Sequence, residues 1–210
     1  MAAVITPEKL KKLTPDIRAD RALIYAEALE SVLGTGELST PRRVRHFMAQ
    51  IAHESAGFRA LVESTNYTDP QRLDELFKNV QGVDHARRLV AQGPQAIGNT
   101  IYANKLGNGG PASGDGFRFR GRGFMMITGR ANYREIGQLT GLPLEAQPEL
   151  LGEAGKAAQA AALFWIRRRI NLAADADDID AVTLLVNGAA KLHLKERKDF
   201  LTKAKAIWPG

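Results

Sequence analysis

The sequence predicts a mainly α-helical, two-lobed fold with a Gly-rich loop and at most a small β element beside a cleft. Three observations lead to this expectation. Apolar residues recur at helical spacing along most of the 210-residue chain. Several of these periodic segments begin with a capping residue followed by proline. Seven glycines crowd into residues 107–123, and this stretch divides the helical pattern into two halves with a groove expected between them.

Capping pairs mark three helix starts in the first half of the chain. They are Thr6-Pro7, Thr40-Pro41 and Thr68/Asp69-Pro70. The second of these helices should run to Gly57. Apolar spacing predicts further helices over 16–33, 84–91 and 95–104.

The second half of the chain opens with the Gly-rich stretch, where glycine density argues against any helix. Phe117, Phe119 and three arginines in the same stretch argue for an ordered loop over a plain linker. Residues 124–128 are expected to form a short buried strand. Helices are predicted over 130–139, 153–168, 178–186 and 195–207.

Composition limits the class of protein. Residues 1–210 suit a single domain without a second domain for binding. The absence of cysteine excludes a disulfide scaffold, a thiol nucleophile and cysteine–zinc sites. The chain has 29 basic and 23 acidic residues, so its net charge of +6 favours an anionic partner. No segment has the apolar length of a signal peptide or a membrane span, so we expect the chain to be held in the cytoplasm until release.

Two short motifs are weaker than they look. His53-Glu54 resembles the start of a zinc-protease helix, but the second histidine of that motif is replaced by Gly57. We therefore expect no metal and no other cofactor. Arg167-Arg168-Arg169 ends a predicted helix, where cations favour the helix dipole, although a contact with an anionic polymer is the alternative.

Two carboxylates are candidates for acid–base chemistry. Glu54 lies beside the apolar stripe of its helix, so its carboxyl group is expected to be partly desolvated, as a general acid requires. The alternative is that Glu54 is a boundary residue paired with an arginine. Glu63 follows nine residues later, beyond the break at Gly57, so it can face Glu54 from a separate element. Two carboxylates that flank a cleft are what hydrolysis of a glycosidic bond needs.

Three ordered blocks carry a resemblance to the family 19 glycoside hydrolases, which include plant-type chitinases and a branch of cysteine-free phage endolysins. The blocks cover about residues 47–200. The first block is His53-Glu54-Ser55-x-Gly57-Phe58, followed by Glu63 and Asn66-Tyr67. The second consists of the run from Tyr102 to Gly110, the run from Phe119 to Gly129 and Asn132-Tyr133. The third is Val186-Asn187-Gly188, followed by Arg197. The short step between the acids and the lack of cysteine resemble the endolysin branch.

The resemblance implies a lysozyme-like fold and assigns roles to single residues. Glu54 matches the general acid, Glu63 the general base, and Thr128 the hydroxyl that helps to hold the attacking water. The resemblance implies substrate binding for a further set, namely His53, Asn66, Tyr67, Tyr102, Lys105, Arg122, Asn132, Asn187 and Arg197. Support of the acid is the alternative for six of them, namely His53, Tyr102, Arg122, Asn132, Asn187 and Arg197.

These observations predict an endolysin-type glycoside hydrolase that cleaves β-1,4 bonds of peptidoglycan glycan strands by an inverting two-glutamate mechanism. A chitinase is the first alternative. A lytic transglycosylase with one glutamate and a basic nucleic-acid-binding protein are the others, although no nucleic-acid-binding signature is present. The expected partners are glycan strands, with no nucleic acid and no stable membrane insertion. We expect a monomer that acts in the periplasm or cell wall and leaves the host cytoplasm through a separate holin-like protein.

Overall fold

The computed structural model describes residues 4–33, 36–188 and 193–210, and this part of the chain is almost entirely helical. Its α-helices are α1 (Pro7–Leu13), α2 (Ala19–Glu30), α3 (Pro41–Glu54), α4 (Pro70–Leu76), α5 (Val83–Gln92), α6 (Pro94–Ile101), α7 (Asp115–Arg118), α8 (Arg130–Thr140), α9 (Ala154–Arg167), α10 (Ile170–Asp175), α11 (Ile179–Asn187) and α12 (Leu194–Ile207). Short 3-10 helices cover Gly36–Leu38, Pro111–Ser113 and Pro148–Gly152. The predicted mainly α-helical class is confirmed.

The chain divides into two compact units that interleave in sequence. The first contains Met1–Leu61, Gly123–Met125 and Leu151–Gly210, and the second contains Val62–Arg122 and Met126–Leu150. The Gly-rich loop therefore lies almost wholly in the second unit and does not separate an N-terminal half from a C-terminal half, as the sequence suggested.

The first unit is built around helix α3. Its start follows from local chemistry, because the Thr40 hydroxyl accepts a hydrogen bond from the Arg43 amide and Pro41 fits the first helical turn. The apolar face that the spacing predicts is fully buried, and Phe47 packs edge-to-face on Trp165 with ring centroids 5.3 Å apart. Helix α12 packs along α3, and α2 packs along α9.

The second unit has its own apolar core. The buried residues of this core come from α4, α5 and α6 and the α4–α5 connection, namely Leu73, Val80, Ala86, Leu89, Ile97 and Ile101. Asp69 caps α4, as predicted, by accepting hydrogen bonds from the amides of Gln71 and Arg72.

The Gly-rich loop is ordered, and it contains a helical turn that the sequence did not predict. Helix α7 (Asp115–Arg118) forms because Asp115 is buried and accepts hydrogen bonds from Arg130 and from the Gly109 amide. Gly116 also packs directly on α6, where a Cβ atom would lie 2.3 Å from the Gly98 carbonyl oxygen. Tertiary contacts thus override the low helix propensity of glycine.

Two other features differ from the sequence prediction. The predicted strand over 124–128 is a turn, in which Met126 has a φ of 45°; the extended pairing is limited to single bridges from Arg122 to Val62 and to Ile127. Helix α10 (Ile170–Asp175) was not predicted, because six residues are too few to show a clear helical period. Among the described residues, every helix is too short or too polar to span a bilayer.

Candidate active site

Glu54 is the last residue of helix α3, in the first unit. Its side chain is 16% exposed, so most of the carboxylate is covered by protein. Arg197 on α12 donates a hydrogen bond from Nη2 to Glu54 Oε1 at 2.5 Å. The sequence left open the alternative that Glu54 is a boundary residue paired with an arginine. Both features are present, and both are compatible with a place for Glu54 in the candidate site.

The Glu54–Arg197 pair belongs to a buried polar network. The Arg197 side chain is 1% exposed, and its Nη1 donates to Gln50 Oε1. Gln50 lies one helical turn before Glu54, and its Nε2 donates to Thr183 Oγ1 on α11 at 3.4 Å. A charge buried this deeply must be paired, so the network fixes the orientation of the Glu54 carboxylate. Of the two roles that the resemblance left open for Arg197, this geometry favours support of the acid over contact with sugar.

His53 lies beside Glu54 in the chain and is half-buried. Its ring is tilted over that of His193, with centroids 5.4 Å apart. Burial, together with the nearby Arg197 and His193 side chains, lowers the pKa of His53 to about 4. The imidazole is therefore neutral near pH 7 and can donate or accept a hydrogen bond without adding charge beside Glu54.

Glu63 lies in the second unit, on extended chain directly after the bridge between Val62 and Arg122. Its own amide donates to the Gly121 carbonyl at 2.8 Å, and its carbonyl accepts a hydrogen bond from Arg120 Nε at 3.2 Å. The backbone of Glu63 is thus held on both sides by the end of the Gly-rich loop.

The Glu63 carboxylate has a separate donor for each oxygen. The Tyr102 hydroxyl donates to Oε1 at 2.6 Å, and the Gly121 amide donates to Oε2 at 2.9 Å. Gly121 is needed for this approach, because a Cβ atom there would lie 3.2 Å from Oε2 and 3.3 Å from Met126 Sδ. Each carboxylate oxygen keeps a further lone pair that can accept a proton from water.

Tyr102 follows helix α6 and is largely buried. Burial and the adjacent Glu63 carboxylate raise the pKa of Tyr102 above its usual value. The hydroxyl therefore stays protonated and remains a donor. The resemblance implied for Tyr102 a place in the sugar-binding cleft or support of the acid, and its hydrogen bond shows that it positions the Glu63 carboxylate.

Arg122, for which the resemblance implied substrate binding or support of the acid, is enclosed by protein. Its side chain is buried, and its Nη1 donates to the Arg118 carbonyl at 2.7 Å and to the Tyr133 hydroxyl at 2.9 Å. Tyr133 in turn donates to the Arg120 carbonyl. A guanidinium enclosed in this way supports the segment that carries Gly121 and Arg120.

Thr128 and Asn132 form one small cluster at the start of α8. The Thr128 hydroxyl donates to the Met126 carbonyl at 2.9 Å, which leaves its oxygen able to accept a hydrogen bond from water. Asn132 Nδ2 donates to the Thr128 carbonyl at 2.7 Å. Asn132 therefore fixes the backbone of the residue expected to hold water.

The other predicted substrate residues are Asn66, Tyr67, Lys105 and Asn187. Of these, Tyr67 lies near Glu63, because burial and the Glu63 carboxylate together raise the pKa of Tyr67. Asn66 is exposed, and Tyr67 packs edge-to-face on Phe77. Lys105 is exposed and donates from Nζ to the Ile101 carbonyl at 3.1 Å. Asn187 ends α11 in the first unit. Within residues 4–33, 36–188 and 193–210, no cluster of three or more His, Asp or Glu side chains is arranged to hold a metal ion.

Sequence reasoning missed two members of the Glu54 network, Gln50 and Thr183. Gln50 could have been found, because a polar residue four positions before Glu54 shares its helix face. Thr183 carries no comparable signal in the sequence.

Comparison with known proteins gives consistent results. No family model matches the chain. A glycosyl hydrolase family 19 domain-containing protein of Haemophilus influenzae is 33% identical over 142 residues, which are 68% of each chain. Among solved structures, chitinase C from Streptomyces griseus has a TM-score of 0.63 and 17% identity over 99% of this chain and 78% of that one. A family GH19 class IV chitinase from Zea mays has a TM-score of 0.51 and 15% identity over 97% and 92%.

Proposed function

The chain belongs to glycosyl hydrolase family 19 and is a glycoside hydrolase with a chitinase-like fold, and from this premise we propose that it is an endolysin-type enzyme that cleaves β-1,4 bonds of peptidoglycan glycan strands. We assign Glu54 as the general acid and Glu63 as the general base. One observation carries the assignment: each carboxylate is held by dedicated donors, Glu54 by Arg197 and Glu63 by Tyr102 and the Gly121 amide.

In the proposed reaction, Glu54 in its carboxylic acid form gives its proton to the glycosidic oxygen as the bond to the anomeric carbon breaks. Glu63 takes a proton from a water molecule, and the oxygen of that water bonds to the anomeric carbon. The proton lost by Glu54 is balanced by the proton gained by Glu63, so a proton transfer through solvent restores both groups. Thr128 accepts a hydrogen bond from the same water and orients it.

Water attack on the face opposite the leaving group inverts the anomeric configuration, so the first product is the α-anomer. Proton NMR during the first minutes of digestion, before mutarotation, distinguishes the anomers. A β-anomer as the first product would contradict the assignment of Glu63 as a base and indicate a covalent intermediate.

Peptidoglycan is the favoured substrate because the net charge of +6 suits a wall polymer that carries carboxylates. The nine-residue step between the two acids and the lack of cysteine also resemble the endolysin branch. A chitinase is the second candidate, since the structures with similar folds are named as chitinases. Purified peptidoglycan (murein) and soluble chitin oligomers are digested in parallel, and mass spectrometry of the products decides between the two candidate substrates.

Three variants test the assigned roles. We expect Glu54→Gln and Glu63→Gln to lose activity by about 10²-fold or more, because an amide neither donates nor accepts the required proton. Glu135→Gln is the matched control, since Glu135 is exposed on α8. Normal activity of Glu63→Gln, together with anhydro-sugar products from the wild-type enzyme, would instead identify a lytic transglycosylase.

We also propose that the enzyme acts on the wall only after release from the cytoplasm. Purified protein should lyse Gram-negative-type cells whose outer membrane has been permeabilised and leave untreated cells intact. Equal lysis of untreated cells would show that the cationic chain crosses an outer membrane by itself.

A further inference from the structure

Asn108, in the Gly-rich loop, is a buried polar residue that is 7% exposed. Its Nδ2 donates a hydrogen bond to the Tyr102 carbonyl at 3.0 Å, and its Oδ1 accepts one from the Arg130 amide at 2.9 Å. Tyr102 is the donor to Glu63 Oε1, and Arg130 is the first residue of helix α8. One side chain in the second unit therefore joins the segment that holds Glu63 to the start of α8.

The Tyr102 carbonyl lies at the end of helix α6, where carbonyl oxygens lack the amides of a following helical turn. Asn79 Nδ2 donates to three carbonyls around it, those of Thr100, Ile101 and Ala103, at 3.1, 3.4 and 3.1 Å. Asn108 donates to the carbonyl of Tyr102 itself. Two asparagine side chains thus replace the missing amides, and Asn108 fixes the peptide group next to the Tyr102 side chain.

The start of α8 depends on Asn108 for its cap. The N-cap position is Gly129, which has no side chain that could accept a hydrogen bond. Asn108 Oδ1 accepts from the Arg130 amide in its place, from 22 positions earlier in the chain. Thr128 lies directly before Gly129, and Asn132 of α8 donates to the Thr128 carbonyl at 2.7 Å. The backbone position of Thr128 is therefore set by the same helix start that Asn108 caps.

The loop around Asn108 is also held by contacts that do not involve this side chain. The Ala131 amide donates to the Leu106 carbonyl at 3.0 Å. Arg130 Nε donates to Asp115 Oδ2 at 3.0 Å, and the Asp115 side chain is 5% exposed. A substitution at position 108 should therefore change the connection between the two segments locally and leave the loop folded.

We propose that Asn108 is a positioning residue that holds the segments of Tyr102 and Thr128 in one arrangement. The Glu63 carboxylate and the attacking water then meet in the geometry that proton transfer needs. The inference rests on the proposed roles of Glu63 and Thr128 and extends them to a residue to which the resemblance assigned no role. Because Asn108 acts through other residues, its loss should lower kcat and leave KM almost unchanged.

Two variants separate this role from simple capping of α8. Asn108→Ala removes both hydrogen bonds, whereas Asn108→Asp keeps the acceptor for the Arg130 amide and turns a second oxygen toward the Tyr102 carbonyl. On murein or chitin oligomers, whichever the wild-type enzyme digests, we expect each variant to lower kcat about tenfold and to change KM less than about twofold. A normal kcat in Asn108→Asp would show that Asn108 only caps the helix, and would overturn the proposal.

A double-mutant cycle tests the connection to Tyr102. Tyr102→Phe alone and Asn108→Ala alone should each cost about tenfold in kcat, so independent effects would multiply to about a hundredfold. If Asn108 acts partly through Tyr102, the double variant should lose only about 10–30-fold. A loss equal to the product would overturn the proposal.

Asn171→Ala is the matched control for the loss of a buried asparagine. Asn171 lies in the first unit and is also 7% exposed; its Oδ1 accepts from Trp165 Nε1 at 2.8 Å and its Nδ2 donates to the Glu37 carbonyl at 3.0 Å. We expect Asn171→Ala to lower Tm, as Asn108→Ala does, and to keep the wild-type kcat. An equal loss of kcat in both variants would mean that general destabilisation explains the effect, and would overturn the proposal.

NMR of the free protein separates failure of this proposal from failure of the proposed function. The ring signals of Tyr102 and the methyl signal of Thr128 should both shift in Asn108→Ala and stay in place in Asn171→Ala. Unmoved signals would overturn the positioning role even if Glu63→Gln is inactive. Shifted signals together with a fully active Glu63→Gln would instead overturn the proposed base.

Discussion

Replacing Arg197 by leucine tests the buried network around Glu54 most directly. The variant removes a guanidinium that is 1% exposed and leaves Glu54 and Gln50 without its hydrogen bonds. Breaking one partner of a buried ion pair costs about 3–5 kcal/mol. Because the Glu54 side chain keeps 16% exposure, water can partly replace the arginine, so we expect a loss at the lower end, about 3 kcal/mol. For a chain of this size that corresponds to a fall in Tm of about 6–12 °C.

Scanning calorimetry of four proteins completes the test: the wild type, Arg197→Leu, Glu54→Gln and the double variant. In the double variant the carboxylate that needs a partner is gone, so the two losses should fall short of additivity by about 2 kcal/mol. Arg87→Leu removes an exposed arginine and should change stability by less than about 0.5 kcal/mol. Additive losses, or an Arg197→Leu protein as stable as the wild type, would refute the reasoning.

Three further predictions concern the same elements. Tyr102→Phe removes the donor to Glu63 Oε1 and should lower kcat about tenfold with little effect on KM for the proposed murein substrate; an unchanged kcat would show that the hydroxyl does not position Glu63 for the proposed base role. Gly121→Ala places a Cβ atom 3.2 Å from Glu63 Oε2, and we expect it to lower activity several-fold while Tm, read by circular dichroism, changes by only a few degrees. The pKa of His53 is lowered to about 4 in the folded chain, so between about pH 6.5 and 4 the unfolded chain binds a proton that the folded chain does not. The free energy of unfolding should therefore fall as pH decreases through this window. Measured by urea unfolding, the fall should be smaller in His53→Asn; an unaltered dependence of this free energy on pH would contradict the burial argument.

The helices that the sequence predicted well are those with a strong start signal. Thr6, Thr40 and Asp69 each cap a helix at the expected position, because a cap followed by proline acts through neighbouring residues alone. Helix α7 and the turn at Met126 are held by distant segments, since Arg130 donates to Asp115 and the chain that leads into the turn pairs with residues 61–62. Local propensity therefore could not predict them.

The roles of some site residues could be predicted from the sequence, and the roles of others depend on tertiary packing. Spacing and resemblance singled out Glu54 and Glu63, because the acid–base chemistry itself restricts the residue type. Spacing could not tell that Arg122 and Arg197 are buried, since an arginine that binds sugar and one that supports a neighbour have the same sequence signature. Only the packing around each guanidinium separates the two roles.

The Glu54–Arg197 contact has a consequence for the order in which the protein is made. The two residues are 143 positions apart in the chain. At a synthesis rate of 5–20 residues per second, the ribosome delivers α12 roughly 7–30 s after α3. During that interval the nascent chain carries Glu54 without its arginine, so it cannot complete the buried network. We expect the Glu54 carboxylate to become correctly oriented only after α12 emerges, and a ribosome stalled before residue 197 should hold a chain without glycosidase activity.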